Sequence, residues 1–257
     1  MNVRIVVAAH KPYPMPADPV YLPLQVGAAG KESIGFQRDD EGEHISDKNA
    51  SYSELTGLYW AWKNLDADFI GLCHYRRHFG KRKGENGLEG VLTGREIARR
   101  LENSPILLPQ KRRYYIETLY QHYAHTLHPE PLDLTGEILR EQFPRYYPEF
   151  CRLKKRRSGH MFNMMILSRE KLDSYCSFLF PVLEELEKRV DPKEYEDPFH
   201  ARFPGRVSEL LLDVYLLTEK EAYEELPVFL PEGEKWGKKI FSFLASKYFG
   251  KKYGKSF

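Results

Sequence analysis

"SYSELTGLYWAWKNLDADFIGLCHYRRHF", residues 51–79, sets out a helix, a turn and a strand in one run. Ser51-x-x-Glu54 has the form of a capping box, and Leu55, Leu58, Tyr59 and Trp62 recur on one helical face. Asp66-Ala67-Asp68 follows as a turn, because short acidic side chains hydrogen-bond their own backbone. Residues Phe69–His74 are short and apolar, as a buried strand is, and they end abruptly in His74, Tyr75, Arg76 and Arg77. A helix that feeds a buried strand is the unit of a layered α/β domain.

The rest of the chain repeats that unit. Val3–Ala8 and Leu22–Ala29 read as strands, and residues 36–49 as a polar loop. Thr93-x-x-Glu96 opens a helix that ends near Asn103, and "PILLP" (105–109) gives a further strand. Residues 117–128 and 133–142 have helical character, and "HMFNMMIL" (160–167) reads as a strand. Ser168 starts a long helix with Leu172, Tyr175, Cys176, Leu179, Leu183 and Leu186 facing inward; Pro181 should kink or divide it. Ser208–Thr218 is the last core helix. This alternation predicts a mostly parallel sheet flanked by helices over residues 1–234, followed by a basic aromatic tail, 235–257.

A chain of 257 residues can bury a sizeable core without staples. Its three cysteines, Cys73, Cys151 and Cys176, are far apart and form no C-x-x-C, which suits a reducing compartment and not structural zinc. "MNVRIVVAAHKPYP" reads as a first strand and not a secretory leader, and no run approaches the ~18 apolar residues of a membrane span. A cytoplasmic protein is expected. The net charge of +2 conceals an asymmetry: residues 235–257 hold seven lysines and no acid, leaving 32 basic against 37 acidic residues elsewhere.

Open α/β sheets bind ligands beyond the carboxyl ends of their strands. That rule puts His74, Tyr75, Arg76 and Arg77 at the functional edge, with alternation sending His74 and Arg76 one way and Tyr75 and Arg77 the other unless the strand has already ended. Two guanidinium groups can hold a diphosphate without a metal. Asp39, Asp40 and Asp47 lie in the polar loop, either as metal or ribose contacts or simply solvated. His122, His125 and His128 share a helical face only in part, and no carboxylate stands at the metalloprotease offset, so zinc is not expected. Glu209 and Asp213, four apart, stack on one helical face.

The stretch "NASYSELTGLYWAWKNLDADFIGLCHYRRHF" (49–79) resembles the signature of bacterial glycosyltransferases grouped as domain of unknown function 4422. "HISDKN" (44–49), "GHMFNMMILSREKLDSYCSFLFPVLEELEKRVD" (159–191) and "RVSELLLDVYL" (206–216) extend the resemblance along most of the chain. Members are encoded with capsule and surface-polysaccharide synthesis, and some are galactofuranosyltransferase-like. The resemblance implies a GT-A-like fold, a UDP-sugar donor and a lipid-linked oligosaccharide acceptor; UDP-glucose and UDP-galactose are alternative donors. It implies donor contacts from His74, Tyr75, Arg76, Arg77, Asn49 and Asp47, with the arginines neutralising the departing diphosphate. Glu209 would take the acceptor proton with Asp213 as the second carboxylate, and His122, His160 and Asn163 would face the acceptor. Trp62 is expected in the core. The D-x-D signature of metal-dependent members finds a match only in Asp66 and Asp68, at the amino end of the strand, so a divalent metal (Mn or Mg) is left open. The tail suits an anionic membrane surface, placing the enzyme peripherally on the inner face of the cell membrane. A rival reading, an RNA- or polyanion-binding protein using "HYRR", "KRRYY" and the tail, is opposed by the acidic body, and no nucleic-acid partner is expected.

Overall fold

The structure, a computed structural model, describes residues 1–81 and 87–231. The tail, its expected amphipathic helix and the boundary at 234 lie outside the described residues. The strands are β1 (Val3–Ala9), β2 (Tyr21–Gln25), β3 (Gln37–Arg38), β4 (Phe69–His74), β5 (His78–Phe79), β6 (Ile106–Pro109), β7 (Arg112–Arg113), β8 (Ser158–Gly159), β9 (Met165–Ser168), β10 (Glu224–Leu226) and β11 (Val228–Phe229). The helices are α1 (Asn49–Tyr52), α2 (Leu55–Asn64), α3 (Gly94–Leu101), α4 (Leu119–Thr126), α5 (Glu130–Gln142), α6 (Tyr147–Lys154), α7 (Arg169–Arg189) and α8 (Phe203–Glu219).

Seven strands form the central sheet in the order β10-β6-β9-β4-β1-β2-β3. All pairings are parallel except those of β9, which runs against both β4 and β6. The mostly parallel sheet is therefore as the sequence pattern predicts. Side chains alternate across it. Val6, Ala8, Ile70, Leu72, Ile106, Leu108, Met165 and Leu167 join α2, α5, α6, α7 and α8 in the larger core. Ile5, Val7, Cys73, Leu107 and Ile166 face the smaller core under α3.

Several local expectations are corrected. Ser51 caps nothing: it lies inside α1, and its hydroxyl donates to the Lys48 carbonyl. Ser53, at φ 53° and ψ −130°, separates α1 from α2, so one helix becomes two. Residues 160–164 are not strand, since Phe162 (φ 80°) and Asn163 (φ 50°) turn the chain just before β9. Pro181 does not divide α7, because it is on the exposed side, where water can satisfy the carbonyl its ring leaves unpaired. The last helix begins at Phe203, so Glu209 stands in its second turn and not at its start. The Thr93–Glu96 capping box forms as read, and Ser168 caps α7.

Candidate active site

The carboxyl ends of the parallel strands and the amino end of β9 share one edge of the sheet, and the chemistry gathers there. At the end of β4 the chain turns sharply. Arg77 N donates to His74 O at 2.8 Å and His74 N to Arg77 O at 3.2 Å, so the strand has ended before alternation can sort the side chains. Buried His78 holds the turn, its Nε2 3.2 Å from Tyr75 O, and burial pushes its pKa down to about 4.

Tyr75 is only 2 % exposed. Its ring packs against His74, His10 and Tyr13, with Arg76 5.3 Å and Lys11 5.7 Å from its face. Expected at the donor, it supports the rim from below instead. Around it stands a belt of cations: Lys11 after β1, Lys31 after β2, Arg76 after β4, and Arg202 just before α8. They surround His10, whose pKa is lowered by partial burial and then by Lys11, Arg76, Arg202 and Lys31. His74 is driven to about 3 by burial, with Arg77 and Arg76 adding, and is neutral at physiological pH. Lys11, Lys31, Arg76 and Arg202 make no ion pair with any described acid, so an anion placed among them would relieve their mutual repulsion.

Arg77 takes the other side of the turn. Its guanidinium stacks 4.6 Å from the Phe162 ring, and burial lowers its pKa while Glu54 and Glu209 oppose that shift. Glu209 is enclosed, with 13 % of its side chain exposed and Arg206 Nη1 3.6 Å away. Burial raises its pKa; Arg206, Arg77 and Arg112 pull it down, and Glu54 adds to the rise. On the far wall Tyr114 and His122 stack at 4.2 Å. Burial lifts the Tyr114 hydroxyl to about 12, while burial and then Arg112 depress His122, which faces Glu117 at 3.3 Å. His122 thus stands beside Tyr114 and Arg112, while His125 reaches the same Glu117 and His128 stacks elsewhere, on His200.

Several residues expected at the substrate are engaged by other protein groups. Both ring nitrogens of buried His160 are occupied, Nδ1 by Asp213 at 2.5 Å and Nε2 by Glu225 at 3.1 Å. Asp213 also accepts from His160 N at 2.9 Å, which leaves neither residue a face for substrate. Asn163 donates to Glu54 Oε1 (2.9 Å) and Gly205 O (3.0 Å) and accepts from Ser208 (2.9 Å), which ties Glu54 to α8. Asn49 bonds Ser53 O and Thr56 Oγ1 at the α1–α2 break. Asp47 is exposed on the turn beside Ser46. Asp39, read as solvated or ligating, is fully buried and accepts from Gly27 N, Ala28 N, Ser46 and Thr56. Asp68 binds Asn2 N at 2.7 Å, on the opposite edge of the sheet. Trp62 stacks on Phe180 and donates to Asp173, a packing role as expected. Among the described residues no group of three or more His, Cys, Asp or Glu is arranged to hold a metal ion.

The sequence reading missed His10, Lys11, Arg112, Arg202 and Arg206 as site residues. "AAHK" ends β1 as "CHYRR" ends β4, so the same edge rule would have found the first two. The arginines come from segments that only tertiary folding brings near.

A helix-flanked sheet with cations and an enclosed carboxylate at its carboxyl edge defines an α/β domain with an electropositive rim at the end where such sheets bind ligands. The chain belongs to the family described as Domain of unknown function (DUF4422), which matches residues 4–220. Its fold is similar to that of a glycosyltransferase: the WbbM bifunctional glycosyltransferase, solved in the apo form, superposes with a TM-score of 0.82 at 27% identity over 91% of this chain. The chain spans only 46% of that protein. It matches none of the curated proteins.

Proposed function

We propose that this chain is a glycosyltransferase with a GT-A-like catalytic domain over residues 1–234. It transfers a hexosyl unit, galactofuranosyl foremost, from a UDP-sugar to a lipid-linked oligosaccharide in surface-polysaccharide synthesis. Family membership and the likeness to WbbM support the reaction class. The observation that carries the reading is the belt of Lys11, Lys31, Arg76 and Arg202 beside the enclosed carboxylate of Glu209. In a single displacement the acceptor hydroxyl gives its proton to Glu209 as its oxygen bonds the anomeric carbon. The bond from that carbon to the diphosphate oxygen breaks, and its electron pair leaves with UDP. The cations stabilise the charge that develops there, and Arg77 and Arg206 keep Glu209 from losing too much of its anionic character. His122 and Tyr114 line the acceptor side. The steps above are assigned to this chain's own cations and carboxylate, and a divalent metal (Mn or Mg) stays open.

A UDP titration tests the donor assignment. Each lost charge-assisted contact costs about 1.5–3 kcal/mol, so Arg76→Ala/Arg202→Ala should bind UDP at least about tenfold more weakly. Unchanged affinity in the folded variant would remove the assignment. The lysine-rich residues 235–257 are proposed to hold the enzyme peripherally on the cytoplasmic face of the membrane. Deleting them should lower the fraction that sediments with anionic vesicles, and an unchanged bound fraction would count against that role.

A further inference from the structure

A second basic surface adjoins the site. β7 and β8 run antiparallel, Arg112 opposite Gly159 and Arg113 opposite Ser158, which lays residues 112–116 beside 155–159. Tyr114 N donates to Arg157 O at 2.7 Å, and Arg157 Nη1 to Tyr115 O at 3.3 Å. The pairing gathers Arg112, Arg113, Lys155, Arg156 and Arg157, all exposed. None of Arg113, Lys155, Arg156 and Arg157 forms an ion pair with a described acid. Neighbouring acids are already engaged: Glu117 by His122 and His125, Glu149 by Arg152, Asp133 by Tyr120 and Lys154. From this basic ground project Tyr115, 82% exposed, and Ile116, 60% exposed. With Met1 they are the exposed large hydrophobic residues among those described.

We infer that the Tyr115–Ile116 tip docks on an anionic lipid bilayer. The cations meet the headgroups while the tyrosine ring and the isoleucine enter the interface, where an amphipathic ring and a branched alkyl group are both favoured. Isoleucine decides against a nucleic acid, since it offers a base neither a π-face nor a hydrogen bond. The inference deepens the proposed membrane attachment with a contact separate from the tail. It also orients the enzyme: Arg112 and Tyr114 stand beside Glu209, so docking turns the acceptor side of the site toward the bilayer.

The test uses the full chain and reads position as well as binding. Tyr115→Trp should shift its emission to the blue and be quenched by brominated acyl chains in phosphatidylglycerol–phosphatidylcholine vesicles. Spectra are taken as the difference from the unsubstituted chain, and phosphatidylcholine alone should give no effect. Arg113→Ser/Arg156→Ser should lower partition onto the anionic vesicles at least about tenfold, each charge being worth about fivefold. Protein that sediments without added quenching at position 115 binds through the tail alone, and the tip proposal falls. Protein that stays in the supernatant at low salt sinks tip and tail together. Loss of single-stranded RNA binding in the arginine variant, with vesicle partition intact, would reassign the surface to nucleic acid. UDP affinity and melting temperature, measured alongside, should not change, because none of these residues is assigned to the donor site or packed in the core.

Discussion

As the proposed base, Glu209 has to carry a charge in a place that resists it. Burial raises its pKa above the ordinary carboxylate range, and a general base works only when deprotonated. Transfer should therefore be fast at high pH and fall as pH drops through a value above the usual glutamate pKa of about 4.3. Glu209→Gln should keep UDP affinity but slow transfer roughly 100-fold or more. The same variant should melt at a higher temperature. A carboxyl whose folded pKa is raised destabilises the folded state whenever pH exceeds that pKa, and the neutral amide removes the penalty. Normal turnover would demote Glu209; lowered melting would mean that its ion pair with Arg206 outweighs burial. At this scale the edge rule brought Arg76 to the carboxyl end of β4, and Glu209 stands beside Arg206 and Arg77 near the same edge. The sequence misled at His160, Asn163 and Asp213, because a buried polar network looks in sequence like a binding set. Only their partners, 42 to 109 residues away in the chain, reveal the difference.

Elements were legible where local signals agreed. The Thr93–Glu96 box, the Ser168 cap and the apolar run of β4 depend on near neighbours and form as read. The break at Ser53 and the turn at Phe162–Asn163 do not, since tertiary contacts hold those residues at positive φ. β10 carries Glu224 and Glu225 and, among the described strands, pairs only with β6, more than a hundred residues earlier, so no periodicity marks it as strand. β4 also holds a position that tolerates no side chain. A Cβ on Gly71 would lie 2.9 Å from Ile166 Cγ1 and 3.1 Å from the Met165 carbonyl, in the middle of the sheet. Gly71→Ala should cost about 1–3 kcal/mol of stability, as overpacking does, measured by denaturant unfolding. An unchanged midpoint would show that β9 can move aside.

For the whole molecule, the layered plan follows from the alternation of helical and strand patterns, and the mostly parallel sheet from the need to connect strands through helices. The reversal of β9 was not legible. Neither its composition nor its spacing differs from a parallel neighbour's, and its direction is set by how the 155–164 segment returns along the sheet. That reversal brings residues before a strand, instead of after one, to the functional edge. It is why Phe162 and Asn163 meet Arg77 and Glu54.

The opposite edge has a different use. There Asp68 ties down Asn2, Asn103 is exposed between α3 and β6, and none of the site residues is present. Grafted segments should be accommodated on that side. A flexible eight-residue insertion after Asn103 should cost about 1 kcal/mol of stability through loop closure and leave UDP affinity intact. The same insertion after Lys11 should abolish UDP binding. The molecule therefore offers an attachment point for tags, reporters or whole fused domains on the face turned away from its ligands.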